Sequence, residues 1–368
     1  MTRATWSRAR RVLCVRLDAL GDVLMTEPAV RALKYARPGR RIELLTSSAG
    51  AAIARYLPAV DGILIYDAPW MKATPTRVGA SPDHGLIARL RDERFDAAVI
   101  FTVYSQSALP AALMCHLANI PLRLAHCREN PYQLLTDWIP EAEPEERLRH
   151  EVRRQLDLVR QVGAVPDDER MRLDLPPDCF ARARRVLAAL GIGSDAPWVV
   201  IHPGASAPAR RYPPESFAAA ARVLERDHGC TVVYTGTAAE SSLIEQIRAD
   251  MHAPSHSLAG KLDVGVLSAL ISLAPVVISN NTGPAHIAAA VGTPVVDLYA
   301  LTNPQHMPWG VENRVLYHNV PCKYCYKSQC PEGHHHCLRR VPPQSIVEAT
   351  LELLALRRPT LRRARAGE

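Results

Sequence analysis

The segment Val12–Val23 reads VLCVRLDALGDV and is the strongest single indication of the fold. Its first half is apolar at nearly every position, without alternation, which is typical of a parallel strand buried on both faces. Gly21 then permits a sharp turn of the backbone, and Asp22 follows at or near the start of a helix. A buried strand that passes through a glycine turn into a helix predicts an α/β domain.

The same alternation of strand and helix extends outward along the chain. Short apolar runs recur at 42–45, 63–66, 97–101 and 198–202. A proline-rich, acidic stretch at Pro166–Pro177 separates the first three from the last, and 368 residues are enough for two domains. We therefore predict an α/β protein with two Rossmann-like domains that face a central cleft, where the carboxyl ends of the strands would bind ligands.

The predicted domain limits follow from this division. They are an N-terminal acceptor-side domain at 1–170, a C-terminal ligand-binding domain at 171–345 with a cysteine-rich segment at 321–340, and a C-terminal helix with a basic tail at 346–368.

The formal net charge is +7, and arginines are concentrated at both ends of the chain. This pattern indicates attraction to the phosphate of a nucleotide, a nucleic acid or an anionic membrane, with solvated terminal segments as the alternative. Aromatic residues are not interleaved with the basic ends, so we expect no nucleic-acid partner. No segment approaches the roughly 20 apolar residues of a membrane span, and the N-terminus lacks a signal-peptide pattern. We expect a cytoplasmic protein whose basic tail touches the inner face of the membrane peripherally.

Two common nucleotide-binding signatures are missing from the sequence. Neither a glycine-rich dinucleotide fingerprint after the first strand nor a GxxxxGK[ST] loop is present. Dehydrogenase and ATPase functions therefore lose their best support, and we expect no organic cofactor.

Two polar loops in the second half follow predicted strands. The first is HPGAS at 202–206, followed by RRYPP at 210–214, and the second is NNTGPAH at 280–286. Backbone N–H groups, hydroxyls and a guanidinium at such positions can bind a diphosphate. A surface loop with unrelated arginines and ordinary helix capping are the respective alternatives. For Asp22 the alternative is an N-cap carboxylate.

Four cysteines are clustered near the C-terminus, at Cys322, Cys325, Cys330 and Cys337, with three histidines in the last interval. Four cysteines within sixteen residues suit a structural tetrathiolate site for zinc or iron. Two disulfides and free thiols are the alternatives, although disulfides are rare in the cytosol.

Three ordered motifs resemble glycosyltransferase family 9, the heptosyltransferases. They are LGDV followed by EPAVRAL in 20–33, HPGAS followed by RRYPPESF in 202–217, and NNTGPAHIAAAVGTPVV in 280–296. The resemblance implies the GT-B fold and an inverting transfer from a nucleotide-activated heptose, usually ADP-heptose, to a glycan or glycolipid acceptor.

The resemblance also implies roles for individual residues. Asp22 matches the catalytic base, and Ser206 and Arg210 match a phosphate-binding hydroxyl and cation. Glu240 takes the place of a ribose-binding acid. The donor loop is matched by Thr282, Gly283 and His286. Similar cysteine clusters occur in some family members, including ones that modify proteins and bind iron.

Two departures bear on the donor. The family usually has Asp where this chain has Asn281, and Lys where it has Arg210.

From the three motifs together, we expect a heptosyltransferase that acts on lipopolysaccharide core or a related glycan. A protein or small-molecule acceptor, another nucleotide sugar, and a non-catalytic nucleotide-sugar-binding protein remain as alternatives.

Overall fold

The computed structural model describes residues 3–72, 74–76, 78–193 and 196–365, without the side chains of residues 3–4 and 357–365. The chain divides into two compact units, Met1–Asp174 and Leu175–Glu368. Each unit contains one six-stranded sheet. The arginines of the predicted basic tail lie outside the described side chains.

The sheet of the first unit is parallel throughout, in the order β3-β2-β1-β4-β5-β6. Its strands are β1 Arg11–Arg16, β2 Arg41–Thr46, β3 Gly62–Ile65, β4 Ala97–Ile100, β5 Leu122–Cys127 and β6 Asp137–Pro140. Its helices are α1 Arg3–Trp6, α2 Leu20–Tyr35, α3 Ser48–Ala54, α4 Ser81–Asp92, α5 Leu109–Leu117 and α6 Glu151–Arg160.

The sheet of the second unit is also parallel, in the order β12-β11-β10-β7-β8-β9. Its strands are β7 Trp198–His202, β8 Thr231–Tyr234, β9 His256–Ser257, β10 Val277–Asn280, β11 Val295–Leu298 and β12 Asn313–Leu316. Its helices are α7 Pro177–Ala189, α8 Pro214–Arg226, α9 Ser241–Met251, α10 Val264–Leu273, α11 Gly283–Val291, α12 His336–Arg339 and α13 Pro343–Arg365.

Apolar burial explains why the central strands form. β1 and β7 contain almost only buried residues, so each sheet has helices on both faces and the alternating pattern of a half-exposed strand is absent. In the second unit a contiguous core joins strand residues to α8, α9 and α13. The carboxyl ends of β1, β7 and β10 therefore belong to rigid, buried segments. The polar residues that follow these strands are held in fixed positions as a result.

The start of α2 differs from the sequence interpretation. The helix begins at Leu20, so Gly21 lies within its first turn and has no left-handed φ angle. The change of direction from β1 into α2 is completed before Gly21, at Ala19, whose extended backbone occupies the N-cap. Within the described residues, no helix combines the length and apolarity that crossing a membrane requires.

Candidate active site

A buried arginine at the end of β1 is surrounded by three carboxylates. Arg16 is fully buried, and its guanidinium nitrogens lie 2.8 Å from Asp18, 3.2 Å from Asp22 and 2.8 Å from Glu151. Because one cation faces three carboxylates, a proton on one of them is electrostatically favoured.

Asp22 lies in the first turn of α2 without being its N-cap. The N-cap residue is Ala19, which offers no side-chain hydrogen bond, and Asp22 is the one acidic residue in the first turn. A carboxylate at this end of a helix is stabilised by the positive end of the helix dipole. The position therefore favours the ionised form, which a general base requires.

Asp18 is the more confined of the two aspartates. Its side chain is 10% exposed, compared with 20% for Asp22. Burial raises the pKa of Asp18 to about 6 despite the opposing charge of Arg16, and the charge of Asp22 raises it further. Gln106 Nε2 donates a hydrogen bond to Asp18 Oδ1 at 2.5 Å, which lowers the pKa in part. Asp18 thus holds a proton more readily than an exposed aspartate does.

Sequence reasoning missed two members of this cluster. Arg16 carried a usable signal, because an arginine inside an otherwise apolar strand needs a buried anionic partner. Glu151, which accepts from Arg16 Nη1 at 2.8 Å, lies 135 positions away and carried no local signal.

Asn280, another residue that the sequence interpretation overlooked, ties the two polar loops of the second unit together. Its side chain is fully buried at the end of β10. Its Nδ2 donates to the Pro203 carbonyl at 2.7 Å, and its Oδ1 accepts from the Tyr212 backbone N–H at 3.0 Å. Residues 203–212 are therefore fixed to the strand that leads into the second loop.

Glu240 packs directly against the first loop. Its Oε2 accepts hydrogen bonds from the Thr237 N–H at 2.7 Å and the Thr237 hydroxyl at 3.0 Å, which closes a capping box. A Cβ at Gly204 would lie 1.9 Å from Glu240 Oε1. Only a glycine at 204 leaves room for this carboxylate beside the HPGAS loop.

The first loop presents polar groups to solvent. Ser206 is exposed, and Arg210 is partly exposed at the end of a short 3-10 turn, Pro208–Arg210. Among the described residues, the Arg210 guanidinium makes no hydrogen bond or ion pair. The neighbouring Arg211 is used within the loop instead, because its Nε donates to the Ala205 carbonyl at 2.8 Å. Arg210 is therefore the arginine of this pair that is available to bind an anion.

The second loop leads into α11 at Gly283. Thr282 is the N-cap residue, but its hydroxyl donates to the Asn280 carbonyl at 3.2 Å and makes no capping hydrogen bond. His286 is buried one turn into the helix. The absence of a side-chain cap leaves the first N–H groups of α11 to other partners, and helix N-termini favour anions.

The amide of Asn281 is held by β11 and a following loop. Its Nδ2 donates to Asp297 Oδ2 at 3.0 Å and to the His306 carbonyl at 2.7 Å. Asp297 is fully buried, and burial raises its pKa to about 7 against the lowering effects of the Asn281 hydrogen bond and the Arg210 charge. An aspartate at 281 would place its carboxylate against two oxygen acceptors.

The four clustered cysteines border one small cavity of about 20 Å³, together with His334 and His335. All four are free thiols. Burial raises the pKa of Cys337, and the other three cysteines raise it further. Cys322 Sγ lies 3.8 Å from His334 Nε2. In the described part of the chain, no group of three or more His, Cys, Asp or Glu side chains is close enough together to hold a metal ion. The predicted metal site therefore stays a prediction.

Of the two parallel α/β units, one has a carboxylate cluster after its first strand, and the other has two polar loops at strand ends. Residues 84–336 match the family profile of glycosyltransferase family 9 (heptosyltransferase). Because this match spans more than half of the chain, the protein belongs to that family.

A curated relative matches over nearly its whole length. Lipopolysaccharide heptosyltransferase 2 of Salmonella typhimurium is 25% identical over 375 residues, covering 94% of this chain and 99% of the relative.

Solved structures show the same fold. A glycosyltransferase family 9 protein from Veillonella parvula superposes with a TM-score of 0.76 at 20% identity, over 94% of this chain and 97% of that one. The E. coli ADP-heptose lps heptosyltransferase II gives 0.74 at 23% identity, over 94% and 99%. The iron-containing dodecameric glycosyltransferase TibC of E. coli gives 0.50 at 15% identity, over 94% and 76%. These likenesses confirm the predicted GT-B class of α/β fold.

Proposed function

We propose that the protein transfers a heptose, with inversion, from ADP-heptose to a lipopolysaccharide core or related glycan. The observation that carries this proposal is the joining of residues 203–212 to the end of β10 by Asn280, because it holds both polar loops of one unit in a fixed arrangement. The full-length similarity to a lipopolysaccharide heptosyltransferase supports the donor and the acceptor class.

The second unit would bind the donor. The diphosphate would be held by Arg210, the Ser206 hydroxyl and the N-terminus of α11, all of which favour anions. Glu240 Oε1 would accept a hydrogen bond from a ribose hydroxyl, since its Oε2 is already engaged by Thr237. Thr282, Gly283 and His286 would face the sugar diphosphate.

The transfer is a single displacement, and Asp22 would be its base. The acceptor hydroxyl oxygen forms a bond to the anomeric carbon while the bond from that carbon to the β-phosphate oxygen breaks. ADP leaves with the electron pair, and the hydroxyl proton passes to Asp22. Arg16 would orient the Asp22 carboxylate as a positioning residue.

A donor screen tests this function. The purified protein is incubated with ADP-heptose, GDP-sugars and UDP-sugars together with truncated lipopolysaccharide core, and nucleotide release and glycan mass are measured by mass spectrometry. We expect release of ADP and a mass gain of one heptose. Transfer from a UDP- or GDP-sugar alone would contradict the donor, and ADP release without a glycosylated product would contradict the acceptor.

We also propose that the cysteine cluster holds one zinc or iron ion. Four soft sulfur ligands around a cavity with room for about one water molecule suit either ion, provided that the side chains draw together around it. The iron named for the TibC structure supports this choice of metal. Such an ion would stiffen residues 321–340.

We further propose that the enzyme works in the cytoplasm, at the inner face of the membrane. The arginine-rich C-terminal sequence supports this placement through its attraction to anionic lipids.

A further inference from the structure

The cysteine-rich segment is hydrogen-bonded to the turn that carries Arg210. The Ala209 N–H donates to the Ser328 carbonyl at 2.9 Å. Ala209 belongs to the 3-10 turn Pro208–Arg210, is 3% exposed, and borders the same small cavity as the four clustered cysteines. The position of the residue next to Arg210 therefore depends on a segment that is distant in sequence.

Two further backbone hydrogen bonds hold the same segment against the residues that follow β11. The Tyr324 N–H donates to the Leu301 carbonyl at 2.6 Å. The Tyr326 N–H donates to the Thr302 carbonyl at 2.7 Å. Both acceptor residues are buried. The cysteine-rich segment thus joins two parts of the second unit, the chain after β11 and the Arg210 turn.

Both tyrosines have left-handed backbone conformations. The φ angles are 63° at Tyr324 and 53° at Tyr326. Residues with a Cβ meet a steric penalty in this region and stay there only where surrounding contacts hold them. Residues 317–335, which the structure describes in full, join β12 to α12 through turns and irregular backbone, without a helix or strand of their own. The hydrogen bonds from these two N–H groups therefore help to hold the segment in its present conformation.

We propose that the cysteine-rich segment positions Arg210 for binding the donor's diphosphate, through the hydrogen bond between Ala209 and Ser328. The proposal rests on the proposed function for the diphosphate as the ligand of Arg210, and it adds a positioning element outside both polar loops. Opening of the segment removes the acceptor of the Ala209 N–H and allows the turn to change its backbone conformation. Because a coupling free energy is reciprocal, a diphosphate bound at Arg210 in turn stabilises the closed segment.

A pair of substitutions at Tyr326 tests this role. Proline lacks the N–H that donates to Thr302 and cannot adopt a φ angle of 53°, so Tyr326→Pro should open the segment. Glycine keeps the N–H and adopts this φ angle without strain, so Tyr326→Gly should leave the segment closed, although both variants lose the same phenol ring. Dissociation constants for ADP and for inorganic pyrophosphate are measured by calorimetry. We expect about 5–20-fold weaker binding of both ligands by Tyr326→Pro, and wild-type binding by Tyr326→Gly.

The same substitution in Arg210→Ala separates positioning from a general loss of structure. Without the guanidinium, Tyr326→Pro should weaken ADP binding little further, because the segment acts through that side chain. Unchanged binding by Tyr326→Pro in the wild-type background would overturn the proposal, and so would equal weakening in both backgrounds. Equal weakening by Tyr326→Gly would trace the effect to the phenol ring instead.

The two ligands distinguish a wrong donor from a wrong coupling. If pyrophosphate binds and ADP does not, the proposed donor is refuted, and the coupling is measured with pyrophosphate. Binding of neither ligand would refute the diphosphate site itself and this inference with it.

Hydrogen exchange on the wild-type protein keeps the inference testable if Tyr326→Pro does not fold. Exchange of the Ala209 and Tyr326 amides is measured with and without a saturating concentration of ADP or pyrophosphate, with α7, which packs against α10, as the control. Reciprocity predicts that the ligand slows exchange at both amides by the same factor, about 5–20, and leaves α7 unchanged. Unchanged exchange at Tyr326, or equal slowing in α7, would contradict the coupling.

Discussion

Gly204 gives the sharpest test of how the HPGAS loop is packed. A Cβ at this position would lie 1.9 Å from Oε1, 2.2 Å from Cδ and 2.8 Å from Oε2 of Glu240. Real contacts are never this short, so the Glu240 carboxylate must move. Its displacement breaks the two hydrogen bonds from Thr237 that close the capping box, at 2.7 and 3.0 Å.

The expected loss of folding stability in Gly204→Ala follows from those two hydrogen bonds. Loss of a helix cap costs about 0.5–2 kcal/mol, and residual strain brings the destabilisation of Gly204→Ala to about 1–3 kcal/mol. Urea unfolding monitored by circular dichroism measures it. Gly193→Ala is the matched control, because a Cβ at this position would meet no atom within 4 Å and the backbone φ angle is ordinary. The free energy of unfolding of this variant should be unchanged or slightly higher than that of the wild type.

The same substitution in a second background isolates the cause. In Glu240→Ala the obstructing atoms are gone, so adding Gly204→Ala should cost almost nothing more. If Gly204→Ala destabilises the Glu240→Ala protein as much as the wild type, the collision with Glu240 is not the reason for the glycine, and the geometry argued above is wrong.

Four further predictions concern the proposed sites. Arg210→Ala should weaken ADP-heptose binding by about 1.5–3 kcal/mol in calorimetry through loss of a phosphate contact, with exposed Arg184→Ala as control, and unchanged affinity would contradict this placement. Asp22→Asn should lower turnover about 10²–10⁴-fold with donor affinity nearly unchanged, whereas near-normal turnover together with an inactive Asp18→Asn would move the base to Asp18. Elemental analysis of protein purified without an affinity tag should find one zinc or iron per chain, and a fully active, metal-free protein with four titratable cysteine thiols in this segment would refute the metal site. Truncation after Leu356 should reduce sedimentation with anionic vesicles, at roughly 1 kcal/mol per arginine removed, and leave turnover of a soluble acceptor intact; equal sedimentation of both forms would eliminate the membrane role.

Part of the second unit was predictable, because Trp198–Ile201 is an uninterrupted apolar run. The predicted bounds, 198–202, coincide with β7. The strands of the first unit were harder to predict from the sequence. β5 includes Arg123 and His126, and both are buried, so its sequence lacks a continuous apolar run. The Arg123 guanidinium donates hydrogen bonds to the carbonyl groups of Ile120, Gln133 and Leu134. No local sequence pattern predicts these contacts.

The start of α2 was predicted at or near Asp22 and is found at Leu20. Pro28 is of a residue type that is common at a helix start, but in the structure it lies inside the helix. Burial of most of α2 against the sheet and α6 offsets the hydrogen bond that this proline removes.

The candidate site shows a similar division. The three motifs could be recognised from residue types and their order along the chain. The residues that hold them in place could not, because their partners are distant in sequence. Arg16 depends on Glu151, and Asn280 depends on Pro203 and Tyr212. Local patterns identify the motifs, whereas their buried polar partners become evident only after the chain has folded.

The side chain of Asn280 has a consequence for protein engineering. Because one amide bonds to the backbone on both sides of the HPGAS loop, that loop and the segment leading into α11 do not form independent cassettes. Consider a chimera that takes only one of these two segments from a homologue. Its asparagine at 280 and the backbone groups to which that asparagine bonds would then come from different parents. Exchange of donor preference between relatives of this enzyme therefore calls for transplanting 202–214 and 279–286 together, with Asn280 as the fixed junction.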